Sequence, residues 1–258
     1  LMALMAVWWA TEAIPIPATS LLPLFVLPLV GAGSPAQTGS DYANHIVILL
    51  LGGFIVALGI ERWNLHQRIA LNVISRVGTS PGAIVFGFML ATAVLSMWIS
   101  NTASTLMMVP IAISASAVLG NVSKHFTTAL LLGVCYAASI GGVATPIGTP
   151  TNLIAISWLQ TEAGAHIGFA QWMAFGLPAM ALLLPVAWWN VTRGMPVRSE
   201  NAEAVSAHVK SQLIGIGKMT VQETRVAIVF GITATLWLLR LPLQLFLEAS
   251  GIELLANY

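Results

Sequence analysis

Ser96-Met-Trp-Ile-Ser-Asn-Thr-Ala-Ser-Thr105 is a polar island inside a long apolar run. No Asp, Glu, Lys or Arg occurs between Val77 and Ser123, yet the middle of that run carries the hydroxyls of Ser96, Ser100, Thr102, Ser104 and Thr105 and the amide of Asn101. The flanks, 81–99 and 103–119, each reach the roughly 17 residues that a membrane-spanning helix needs at minimum. A polar turn between two such arms is either a loop reaching water on the far side or the tip of a hairpin that stops partway across the membrane. In the second case the tip is a binding site.

The composition sets the surroundings of this island. The chain has 258 residues, 57% hydrophobic and 7% charged, with a mean hydropathy of +0.87, against roughly 25% charged residues in a soluble domain. An all-α, polytopic membrane protein follows, with the lipid bilayer as its main partner. Leu1 opens inside an apolar run, so the sequence is expected to be a piece of a longer chain. No signal-peptide pattern stands at its start. A single Cys135 excludes a disulfide scaffold, and a net charge of +1 offers no field for nucleic acid. The five histidines, His45, His66, His125, His166 and His208, have no metal-ligand spacing. The nine tryptophans suit membrane interfaces.

Outward from the island the chain reads as alternating spans and breaks. Residues 1–9 end a span marked by Trp8 and Trp9. An apolar segment, 18–30, follows Glu12 and the Pro15/Pro17 pair and runs into the loop composition of Gly31 to Pro35. A span over 45–60 precedes Glu61 to Arg76, where Arg62, Arg68 and Arg76 alternate with Leu65, Ile69, Leu71, Val73 and Ile74, the spacing of an amphipathic helix lying in the interface. The second uncharged stretch, His125 to Thr161, is too long for one straight helix and is broken by Gly141, Gly142, Pro146, Gly148 and Pro150. A span over 170–192, a polar linker from Arg193 to Arg225 and a last span from Val226 to about Leu239 complete the pattern. Basic residues mark the cytoplasmic side. Arg62, Arg68, Arg76, Lys124 and the group Arg193 to Arg225 therefore lie inside, whereas the loops near Asp41 and Glu162 lie outside. The parity closes if the run 81–119 enters and leaves on the cytoplasmic side.

Two interrupted helices carry the chemistry. Backbone groups without partners are tolerated at membrane depth only inside protein or along an aqueous cavity. A helix ending near Ile99 offers carbonyls to a cation, and one starting near Thr102 offers N–H groups to an anion. Thr149 suits an N-cap and Pro150 a first helical position, so a second half-helix starts there. Discontinuous helices of this kind point to a transport site near the midplane. Neither island holds an ionisable side chain, so hard neutral oxygens fit Na⁺ and an anionic substrate better than a proton relay. A channel with a polar constriction is the reading from another class. An enzyme lacks a nucleophile-base pair or metal spacing.

Three motifs together, Trp9-Ala-Thr-Glu-Ala-Ile-Pro-Ile-Pro-Ala-Thr19, Ser100-Asn101-Thr102, and Ile140-Gly-Gly-Val-Ala-Thr-Pro-Ile-Gly-Thr-Pro-Thr-Asn152, resemble the divalent anion/sodium symporter family over almost the whole chain. The resemblance implies a sodium-coupled carrier of C4-dicarboxylates such as succinate, malate or fumarate, with sulfate or citrate transport or anion exchange as the family alternatives. It implies a multi-pass homodimer of the inner membrane, with no cofactor beyond Na⁺ as coupling ion. By the same resemblance Ser96, Ser100, Asn101 and Gly148 hold a sodium ion, and Ser100, Asn101, Thr102, Thr149 and Pro150 meet the substrate. The family's inverted second half supplies another Ser-Asn-Thr tip, and none follows residue 152 here. The expected division is scaffold helices and an interfacial helix over 1–80, a transport part with hairpin and broken helix over 81–160, a transmembrane helix over 161–192, a cytoplasmic linker over 193–225, and the first helix of a second repeat over 226–258.

Overall fold

The computed structural model describes residues 1–118, 124–165, 167–195 and 202–249, and the regular elements among them are all helices. The chain divides into two compact units, Leu1–Leu51 and Gly52–Tyr258.

The first unit is a set of short helices punctuated by proline. α1 (Met2–Thr11) stops at Glu12, which takes left-handed backbone angles with φ 49°. Pro17 sits early in α2 (Ile16–Ser20), where its missing N–H leaves no helical bond unmade. After α3 (Leu22–Leu29), Ser34 caps α4 (Pro35–Tyr42) by accepting the Gln37 N–H at 3.1 Å, with Pro35 in the first turn. The Tyr42 hydroxyl donates to the Ser20 carbonyl at 2.6 Å and ties α4 to α2.

α5 (His45–Arg62) carries the chain into the second unit. There α6 (Leu65–Ile74) precedes α7 (Pro81–Ser96), α8 (Asn101–Ala117), α9 (Lys124–Gly142), α10 (Pro150–Ala163) and α11 (Phe169–Thr192). α7 is the central member. Val85, Phe88, Met89, Ala91 and Ala93 on it are fully buried, and α6, α8, α9 and α11 pack around it. Without a hydrophobic drive between helices in lipid, small residues that let backbones approach decide such packing. A Cβ on Gly141 of α9 would lie 2.2 Å from the Ala93 carbonyl oxygen, and one on Gly133 would lie 2.9 Å from Met89. By length and composition α9 and α11 each suffice to cross a membrane, and α4 with α5 forms a third candidate.

Two features of the polar segments bear on the sequence reading. The amphipathic helix is present as α6, and Leu65, Ala70, Leu71 and Ile74 on it are buried, with α7 and α12 packed against the helix. The stretch that reads as a linker contains a helix, α12 (Ala202–Gly215). Its Val205 and Val209, one turn apart, are buried against α6 and α8, and His208 Nε2 lies 3.0 Å from the Ser114 hydroxyl of α8. Polar composition marks the exposed face and conceals this narrow apolar stripe.

α13 (Val221–Ala249) starts from a capping box, with the Thr220 N–H donating to Glu223 at 2.6 Å and the Glu223 N–H to the Thr220 hydroxyl at 3.2 Å. Arg68 of α6 grips the same carboxylate with two N–H donors, at 3.1 and 3.2 Å, and donates to the Gly217 carbonyl at 2.8 Å. Glu223 is 4% exposed. The Arg68 guanidinium and then the Thr220 N–H hold its carboxyl below the ordinary carboxylate range, against the desolvation that raises it. A lowered carboxyl pKa stabilises the fold above the unfolded value of about 4.3 and loses that contribution as pH falls through the folded value. The Arg68–Glu223 pair is therefore expected to hold unchanged from pH 8 to 5 and to loosen below about pH 4. Glu223→Ala strands Arg68 and is expected to cost on the order of 3 kcal/mol, read as a lower melting temperature in detergent. An unchanged melting temperature would refute the anchoring role.

Candidate functional site

Four helix ends meet where the two interruptions face each other. α7 ends at Ser96, residues 97–100 turn, and α8 begins at Asn101 with Ser100 as its cap, the Ser100 hydroxyl accepting the Ala103 N–H at 3.2 Å. α9 ends at Gly142, residues 143–149 cross over, and α10 begins at Pro150 with Thr149 at the cap position. Two carboxyl-terminal ends, rich in carbonyl oxygens, thus lie beside two amino-terminal ends, rich in N–H groups.

Ser96 is the hinge of the cation-attracting side. It is fully buried, and its hydroxyl lies 2.7 Å from the Asn101 side-chain oxygen and 2.7 Å from the Ala138 carbonyl of α9. A hydroxyl has one proton to give. Three oxygens converging on one proton leave an excess of lone pairs, which a hard cation such as Na⁺ satisfies without any carboxylate. The donor set fits that ion. Gly142 lets Asn101 into this place, since a Cβ there would sit 2.2 Å from the Asn101 oxygen. Gly148 closes the other wall: a Cβ on it would lie 2.5 Å from the Gly142 carbonyl oxygen and 2.9 Å from that of Ser96. Ser96, Asn101 and Gly148 are therefore brought together, with Ser100 at the cap beside them.

The anion-attracting side is more open. Ser100, Asn101 and Thr149 are half-buried, while Thr102 and Pro150 are exposed. Thr149 makes no capping bond to the α10 backbone; its hydroxyl lies 3.2 Å from that of Thr151. In the first turn of α10 Pro150 has no N–H to give and the Asn152 N–H donates to the Thr149 carbonyl at 3.1 Å, so the Thr151 N–H, which has no side-chain cap, is the donor this turn offers to an anion.

Residues to which the sequence reading assigned no role hold the crossover in shape. Asn152 in the first turn of α10 donates to the Gly142 carbonyl at 2.8 Å and the Thr145 carbonyl at 2.7 Å. The fully buried Thr145 hydroxyl donates to the Met97 carbonyl and accepts the Gly148 N–H at 3.1 Å, so one side chain ties the crossover to the hairpin turn. From α11 the Trp172 indole N–H donates to the Val143 carbonyl at 2.9 Å. Gly176 allows α11 to approach closely, because a Cβ there would lie 2.8 Å from the Val143 and Ala144 carbonyl oxygens. The bonds to Gly142, Val143 and Thr145 satisfy carbonyls that the α9–α10 break releases, and the bond to Met97 satisfies one at the α7–α8 turn, each a group costing about 1–3 kcal/mol if buried unpaired. The signal for Asn152 was present in the sequence, since it is an amide one turn into a membrane helix, the same anomaly as Asn101. Trp98 in the hairpin turn adds an aromatic link, its ring centroid 5.0 Å from Phe230 of α13 and 6.3 Å from Phe169 of α11.

Residues 6–257 match the family model described as citrate transporter, CitMHS. The sodium-dependent dicarboxylate transporter SdcS of Staphylococcus saprophyticus is 42% identical over 247 residues, which cover 91% of this chain and 47% of that relative. The transporter of the same name in Staphylococcus aureus strain USA300 is 40% identical over the same coverage. The chain spans about half the length of the curated relatives it matches.

Proposed function

Because the chain belongs to the citrate transporter family, we propose that it contributes the amino-terminal half of the site of a sodium-coupled secondary transporter, which carries a C4-dicarboxylate such as succinate, malate or fumarate. The observation that carries this reading is the crossing of two interrupted helices, with Ser96, Asn101 and Gly148 gathered at the carbonyl-rich side and Thr102, Thr149 and Pro150 at the N–H-rich side. A sodium ion is held by Ser96, Ser100, Asn101 and Gly148; one substrate carboxylate is met by Ser100, Asn101 and Thr102, with Thr149 and Pro150 on the facing turn. Asn101 belongs to both groups, so filling one site prepares the other, which is the coupling a symporter needs.

The hairpin α7–α8 is re-entrant in this reading. Its arms of 16 and 17 residues reach about 24–26 Å at 1.5 Å per residue, short of the roughly 30 Å of a hydrocarbon core. Exposed apolar side chains along α11, Phe175, Leu182, Leu183 and Val186 among them, support a multi-pass setting in a bilayer, and assembly as a homodimer of the inner membrane belongs to the same proposal.

Uptake of labelled succinate by liposomes holding the full-length protein tests it. Saturable uptake is expected under an inward Na⁺ gradient and not when K⁺ replaces Na⁺. Unsaturable flux independent of Na⁺ would favour a channel, and stronger competition by citrate or sulfate than by malate would reassign the substrate.

A further inference from the structure

A cavity of about 650 Å³ opens between α9 and α11, and none of the residues given to ion or substrate lines it. Its chemistry is sorted along its length. His125 starts the α9 wall, and Leu132, Tyr136 and Ile140 continue it on the same face of the helix. On α11 the wall comes from the last two turns, ending with Asn190 and then Arg193 just beyond the helix. Polar groups therefore gather at the end that the positive-inside rule places in the cytoplasm, and apolar and aromatic groups line the deeper part. From His125 to Ile140 the α9 wall rises about 22 Å, more than the roughly 15 Å of one hydrocarbon leaflet.

Arg193 is the charged element of this groove. Its guanidinium lies 4.2 Å over the Trp189 ring, and among the described residues no carboxylate comes within ion-pair distance of it. Stacking occupies the face of a guanidinium and leaves its N–H edge for a second partner. Leu132 and Tyr136 are 44% and 51% exposed, so the apolar part of the groove is open along its side, as access from lipid requires. α11 itself is little covered by protein.

We propose that this groove binds an anionic phospholipid of the cytoplasmic leaflet. The phosphate sits on the N–H edge of Arg193, with Asn190 and His125 beside it, and one acyl chain runs along Leu132 and Tyr136 to Ile140. A basic pocket between membrane helices on the cytoplasmic side is the arrangement that recognises such headgroups. A small dicarboxylate or free phosphate leaves the apolar part of the groove unfilled, whereas a phospholipid matches both ends.

The test is retention of defined lipids by the full-length protein, purified in zwitterionic detergent and weighed by native mass spectrometry. Phosphatidylglycerol is expected to be retained about tenfold over phosphatidylcholine of the same chains, equivalent to ~1.4 kcal/mol. Arg193→Gln is expected to bring the two to the same level, while Arg193→Lys keeps a preference. A photoreactive phenylalanine at Leu132 is expected to crosslink to phosphatidylglycerol. Equal retention of both lipids by the unaltered protein, unchanged selectivity in Arg193→Gln, or a crosslink from position 132 to polypeptide would overturn the proposal, the last by showing that protein fills the groove.

Discussion

Gly141→Ala is expected to give a protein that inserts poorly and melts far below the parent. The added methyl would lie 2.2 Å from the carbonyl oxygen of Ala93, 2.5 Å from its Cα and 2.7 Å from its carbonyl carbon. All three atoms are main chain of the central helix α7, so no change of rotamer relieves the clash; α7 and α9 must move apart along their shared length. Overpacking a core costs about 1–3 kcal/mol and occasionally more, and here the displaced element also carries Ser96 at its end. A loss of at least ~3 kcal/mol is expected, seen as a drop in melting temperature and in the monodisperse yield from detergent. Gly231→Ala in α13 is the matched control. No atom lies within 4 Å of its would-be Cβ, and alanine favours a helix over glycine by about 0.5–1 kcal/mol, so that variant should melt at or slightly above the parent. If both variants behave alike, the close α7–α9 approach is not what holds the unit together.

Asn101→Ala is expected to leave the fold standing and weaken transport through both ligands. The side chain is half-buried and touches the Ser96 hydroxyl at 2.7 Å, and in the proposed scheme its loss deprives the cation of one oxygen and the carboxylate of one donor. A hydrogen bond to a charged group is worth about 1.5–3 kcal/mol, so each ligand should bind roughly 10- to 100-fold more weakly. Because the ligands are linked, the concentrations of Na⁺ and dicarboxylate needed for half-maximal uptake should rise together. Thr102→Ala, at an exposed position on the N–H side, should weaken the substrate and spare Na⁺. An Asn101→Ala protein with unaltered Na⁺ dependence would separate the two sites and dissolve the coupling scheme.

The parts of this architecture legible in the sequence are those that violate the chemistry of a hydrocarbon interior. Asn101 among hydroxyls in an uncharged run marks a helix break because its amide has no acceptable place on a lipid-facing helix, and α7 does end at Ser96 with α8 starting at Asn101. Gly148-Thr-Pro marks the second break for the same local reason, and α10 starts at Pro150 with Thr149 at the cap position. What the sequence could not disclose are interactions whose partners are main-chain groups far along the chain. The Thr145 hydroxyl serves the carbonyl of Met97, and Trp172 serves that of Val143; neither side chain is unusual where it stands. The burial of α12 was hidden for a related reason. Two valines one turn apart suffice to dock a helix, yet they barely alter the composition of a polar stretch.

The central claim is that the turn at Ser100 to Thr102 lies within the membrane as part of a combined ion and anion site. One measurement addresses depth, ion and substrate at once: labelling of a cysteine at Thr102 by an impermeant thiol reagent in the full-length protein, after replacement of the exposed Cys135. A re-entrant turn predicts slow labelling from outside in the cytoplasm-facing state, with labelling from the cytoplasmic side slowed further by succinate only when Na⁺ is present. Fast labelling from outside, indifferent to both Na⁺ and succinate, would mean that the run 81–119 crosses fully and exposes its polar turn, and the site would not exist.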